Sequence, residues 1–152
     1  MHIQNYILMK KLFLYIFLLN LFFNSVGNSK ENFFEKAKNK YDKKEMEDSK
    51  FLFQRNIVFN PKDAQSYLYL AKIYKYEENE KEEFKNLKAT LLLEPDNEEA
   101  IYMLIDFEIE KANFSEVKNL NKKFKTICSS LCNKTNDIKA RLKDIESGKK
   151  NN

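Results

Sequence analysis

An all-α solenoid of about three helical hairpins, closed by one further helix, is the fold this sequence predicts. Three observations lead there. The only two prolines, in Asn60-Pro61 and Glu94-Pro95, stand 34 residues apart, and each closes a helical stretch. Good helix N-cap residues recur at the same interval, at Ser29, Asp63 and Asn97, where a side-chain oxygen takes an orphan backbone N–H. Small or aliphatic residues follow eight positions later at Ala37, Ala71 and Ile105. A fixed period of about 20 to 50 residues marks a stack of repeated units, because a single hairpin of this size cannot bury its own apolar face.

Taken in chain order, residues 1–29 read as a secretory signal peptide. Lys10 and Lys11 precede an apolar run from Leu12 to Phe23, broken only by Asn20, and the small, polar stretch Asn24 to Ser29 follows. Such a run is shorter than the roughly 17 to 25 apolar residues of a comfortable membrane crossing. Cleavage is expected near Ser25-Val26-Gly27, and Met9 is a candidate for the true start. An uncleaved anchor is the alternative.

The units that follow span 30–63, 64–97 and 98–131. In the middle unit, Ala64 to Glu77 carries Tyr67, Leu70, Ala71 and Tyr74 at helical spacings of three and four, which forms one apolar face. Phe84, Leu87 and Leu91, with Leu92 and Leu93 beside them, give the partner helix a face of its own, ending at Pro95. Across units, Phe53 aligns with Leu87, Ile57 with Leu91, and Phe59 with Leu93 and Ile127. Polar turns at 42–45, 76–79 and 110–113 fall in the same phase and interrupt any continuous coiled-coil seam.

Residues 132–152 are expected to hold a capping helix and a polar tail. From Asp137 to Ser147, Ile138, Leu142 and Ile145 share one face, and Gly148 stands just past the end. A stack needs such a cap, since its last hairpin otherwise shows apolar surface to water. Cys128 and Cys132, the only cysteines, lie just before it. In an oxidising compartment two lone cysteines this close are expected to pair, with free thiols as the alternative.

These residues resemble the tetratricopeptide repeat (TPR) family over about 30–131. Tyr67, Leu70, Ala71 and Tyr74 look like the family's first-helix pattern, Pro95 and Pro61 like its closing proline, and Ile101, Leu104, Ile105, Val117, Phe124 and Ile127 repeat the theme in the third unit. Glu83, at the family's small second-helix position, Asn121, and a third unit without proline depart from the pattern. The resemblance implies a right-handed α-solenoid. It also implies ligand binding along the inner face of the first helices, where it points to Leu68, Tyr69, Lys72, Lys75, Tyr76, Tyr102, Met103 and Asp106 as a partner-binding groove. The cysteine pair with its cap looks like the C-terminal end of some exported bacterial repeat proteins of this family.

Composition excludes much chemistry. The single histidine, His2, lies within the signal segment, ahead of its apolar run, so the exported chain is expected to have no imidazole for a catalytic triad or a zinc site. Two isolated glycines, Gly27 and Gly148, cannot form a phosphate-cradling loop. No catalytic, metal or cofactor residues are assigned, no cofactor or small-molecule substrate is expected, and the chain reads as a non-enzyme. Two of the 27 Lys and Arg lie in the signal segment and all 23 Asp and Glu lie outside it, which leaves the remainder at +2. That balance argues against a nucleic-acid partner. The expected partner is a peptide or helix of another protein, met in the periplasm or outside the cell. The alternative is an accessory subunit anchored in the membrane and facing the periplasm, with no ligand of its own.

Overall fold

The computed structural model describes residues 32–146. The signal segment, Ser29 and Gly148 lie outside those residues. Within them are seven helices and no strand: α1 Phe33–Asp42, α2 Met46–Phe59, α3 Ala64–Tyr76, α4 Glu80–Leu93, α5 Glu98–Glu110, α6 Phe114–Ile127 and α7 Lys134–Glu146. They pair in sequence as α1 with α2, α3 with α4 and α5 with α6. Each hairpin packs on the next, and α7 lies on α6. None of these helices is long and apolar enough to cross a membrane.

Local chemistry sets the helix ends. Asn32, Asn79 and Asn97 each accept a hydrogen bond from a first-turn backbone N–H, those of Glu35, Glu82 and Ala100. Asp63 departs from the capping role expected of it. Its carboxylate instead accepts from Asn56 Nδ2 and from Ser66 Oγ at 2.7 Å, two buried polar groups that need partners.

The 34-residue period is written into the backbone as well. Lys44, Glu78 and Ala112 take left-handed conformations, with φ of 64°, 56° and 55°, at the same point of each hairpin turn. Around each one, a backbone N–H reaches back five residues to a carbonyl: Glu45 to Lys40, Asn79 to Tyr74 and Asn113 to Glu108. This is the Schellman closure of a helix, made here without glycine.

The residues that recur eight positions after each expected cap, Ala37, Ala71 and Ile105, are all buried. Ser49 Oγ donates to the Ala37 carbonyl at 2.9 Å, tying α2 to α1. The core divides into two clusters that share α3. Leu70 and Ile73 join Ala37 and Phe53 on one side, while Leu68 and Ala71 join Leu87, Ile101, Phe124, Ile138 and Leu142 on the other. A helix that feeds two neighbouring clusters is what makes the molecule a stack rather than a set of independent hairpins.

Candidate functional site

Helix spacing builds one face of a groove. Lys72 and Lys75 project from α3, one turn apart, and Glu99, Tyr102, Met103 and Asp106 project from α5 at intervals of three and four. Tyr41 of α1 stands at one end. Leu131, and Lys134 at the start of α7, close the other. Together they line a cavity of about 490 Å³.

The charges inside it are partly satisfied from within. Lys72 Nζ lies 2.8 Å from Glu99 Oε1 and sits over the Tyr69 ring, 4.6 Å from its centroid. Asp106 is held by Arg141 of α7, and Lys75 Nζ stands farther off, 4.0 Å from Asp106 Oδ2. Lys134 Nζ lies over the Tyr102 ring, 5.6 Å from its centroid. Burial, reinforced by Asp106 and Asp137, raises the Tyr102 hydroxyl above the usual phenol range. Burial does the same for Tyr41, with Tyr69 and Glu99 adding to it. Both phenols therefore keep their protons at neutral pH and offer an O–H donor beside an apolar ring.

Of the residues expected in the groove, Lys72, Lys75, Tyr102, Met103 and Asp106 line it. Leu68 does not. It is 2% exposed and belongs to the core, because the middle hairpin is covered on both sides and buries more of its circumference than an end hairpin would. Tyr69 is half-buried at the centre of an aromatic cluster, stacked on Phe53 with centroids 4.9 Å apart and edge-on to Phe34 and Tyr41. Tyr76, 73% exposed at the end of α3, lines a separate depression with Lys44, Met46 and Glu77.

Leu131 and Lys134 were not among the expected residues. Their place is set by the loop before α7. Cys128 and Cys132 are joined there, with Cα atoms 5.1 Å apart. The Glu98 carboxylate, in the first turn of α5, accepts from the backbone N–H groups of Ser129 (2.7 Å), Ser130 (3.0 Å) and Leu131 (3.3 Å) and from the Ser130 hydroxyl. Those bonds, led by the Ser130 hydroxyl, hold its pKa down to about 2. One carboxylate thus anchors the loop that delivers both residues to the groove.

The paired, stacked helices form a TPR-like helical-repeat fold. No protein-family model matches the chain, and no curated protein sequence does. Among solved structures it is similar to the type III secretion translocator chaperone SycD of Yersinia enterocolitica, with TM-score 0.68 and 14% identity, covering 84% of this chain and 90% of that one. A structure of SycD in complex with a peptide of the translocator YopD matches with TM-score 0.68 and 13% identity, over 82% of this chain and 97% of that one. Likeness at these identities establishes the shared helical-repeat fold.

Proposed function

We propose that this chain is a non-enzymatic interaction module that holds a peptide or helical segment of a partner protein in the groove between α3, α5 and α7. One observation carries the reading: Lys72, Lys75, Tyr102 and Met103 present charge, phenol and apolar surface to a single cavity of about 490 Å³. Rigid aromatic surface flanked by polar groups is what peptide recognition uses, since it buries area at low entropic cost. That SycD, of the same fold, was solved with a peptide of YopD supports the choice of ligand class.

In this proposal the chain works outside the cytoplasm. The N-terminal segment directs export, and the Cys128–Cys132 bond persists in the oxidising compartment that follows. A photo-crosslinking amino acid in place of Tyr102 tests the groove, with the same group in place of Val58, exposed on α2, as control. The expected result is one partner segment joined at 102 and absent at 58. Equal labelling at both positions, or none at 102 in native envelope material, rejects the groove.

A further inference from the structure

The second helix of every hairpin ends at the same phase, with Asn60, Glu94 and Cys128 as the C-terminal caps of α2, α4 and α6. The first two exits are locked alike. Pro61 and Pro95 follow at once and fix the backbone, and a turn bond runs from the Asp63 N–H to the Asn60 carbonyl and from the Asn97 N–H to the Glu94 carbonyl, each at 3.1 Å. The third exit is built differently. Ser129 stands in the place of proline, the Leu131 N–H turns to the Glu98 carboxylate at 3.3 Å, and the Cys128–Cys132 bond closes the loop. Where two junctions are held by features that no reaction reverses, the third is held by a bond that thiol chemistry makes and breaks.

That bond is within reach of other molecules. Cys132, Ser129 and Ser130 are exposed and Cys128 is half-buried. Glu98 grips the loop from solvent, at 2.7 Å from the Ser129 N–H and 3.0 Å from the Ser130 N–H, where water competes for the same groups. Leu131 lies inside the bonded loop and Lys134 just beyond it, and both line the groove. A reversible covalent link therefore helps to set the position of one groove wall.

We infer that the Cys128–Cys132 bond is a redox latch on the groove: once it forms, Leu131 and Lys134 are held in the wall and the partner segment binds, and with free thiols the wall loosens and binding weakens. This rests on the groove and export readings above and adds their regulation, since the chain gains its binding competence on reaching an oxidising compartment. The chemistry is thiol–disulfide exchange with the disulfide of an oxidant protein. The Cys132 thiolate, on the exposed side, attacks one sulfur of that disulfide. The oxidant's S–S bond breaks, its other sulfur leaves as a thiol with the proton Cys132 gave up, and a mixed disulfide forms. Cys128 then attacks Cys132 Sγ and releases the oxidant's remaining sulfur as a thiol carrying the Cys128 proton. The oxidant ends as a dithiol, and a dithiol reductant runs the same steps backwards. Closing so short a loop constrains the unfolded chain little, so the effect falls on the loop and α7 and not on the whole stack.

The test compares the purified full chain in three forms: oxidised, reduced with a phosphine, and carrying Cys128→Ser with Cys132→Ser. Amide hydrogen exchange is expected to quicken about tenfold or more over residues 129–138 in the reduced and the serine forms, with Phe33–Asp42 unchanged. In native envelope material, capture of the partner segment by the photo-crosslinking group at position 102 is expected to fall about fivefold or more when both cysteines are serine, because the wall is no longer preorganised. Exchange that is the same with and without the bond overturns the inference. Equal capture at 102 by the cysteine and serine chains also overturns it, and leaves the groove itself standing. Protection lost throughout, Phe33–Asp42 included, overturns it as well, since the bond would then be a staple for the whole fold. Capture at 102 by neither chain rejects the groove, and the latch with it.

Discussion

Arg141 on α7 and Asp106 on α5 are joined by a charge-assisted hydrogen bond that runs from the capping helix to the wall of the groove. The bond has two effects. It fixes the cap on the third hairpin, and it draws on a carboxylate that also stands 4.0 Å from Lys75. Arg141→Ala is expected to lower stability by about 1 to 2 kcal/mol, because both partners are mostly covered and Asp106 keeps its charge without its donor. Amide hydrogen exchange checks where the loss falls: protection should drop through Lys134–Glu146 and be unchanged in Phe33–Asp42.

Glu98 makes the loop before α7 sensitive to acid. Its folded pKa of about 2 lies below the ordinary 4.5, lowered first by the Ser130 hydroxyl and then by backbone N–H groups. Because the folded value is the lower one, the stabilisation is complete above pH 4.5 and is lost as pH falls from 4.5 toward 2. In urea melts across that range, Glu98→Gln should flatten this part of the acid dependence. An unchanged slope would mean that the loop is held by something else.

Glu83 carries the opposite sign. It is 4% exposed, its Oε1 has no hydrogen-bond partner, and burial pushes its carboxyl above the usual range, with Lys75 opposing and Glu110, Glu80 and Asp106 adding to the rise. A raised acid pKa favours the native state while the group is protonated, so this contribution declines as pH rises above the ordinary value of 4.5. Glu83→Met keeps similar volume and removes the orphan acceptor. It is expected to raise stability at neutral pH by about 1 to 2 kcal/mol, measured by urea denaturation.

Tyr69 and Tyr102, 33 residues apart and both expected on the inner face, separate into different roles. Tyr69→Ala removes a ring packed against Phe34, Tyr41 and Phe53 and should cost about 2 to 4 kcal/mol of stability. Tyr102→Ala should cost less stability and more partner affinity, because its ring lines the cavity and stands 6.1 Å from its nearest aromatic neighbour, Phe124. Thermal melts set beside peptide titrations distinguish the two.

These contrasts show what sequence could convey. Period and helical spacing placed the hairpins and the buried Ala37, Ala71 and Ile105, because burial along a stacked helix follows its own periodicity, whereas the groove residues came from the family resemblance. The left-handed turn residues Lys44, Glu78 and Ala112 gave no signal, since none is glycine. Leu131 and Lys134 were hidden for a different reason: Glu98, more than thirty residues earlier, dictates the path of their loop. That loop also starts α7 at Lys134 rather than Asp137, as the Lys134 and Thr135 N–H groups bond back to the Leu131 and Cys132 carbonyls. Which tyrosines pack and which face a ligand depended on neighbouring helices, and spacing along one helix is silent on that.

The most direct measurement is a backbone and side-chain chemical-shift map of the labelled protein, titrated with the segment captured at position 102. Saturable shifts confined to Lys72, Lys75, Tyr102, Met103, Leu131 and Lys134 are predicted, with Val58 and Leu92 on the outer helices unmoved. Shifts centred on those outer residues, or spread evenly over the chain, would contradict the account.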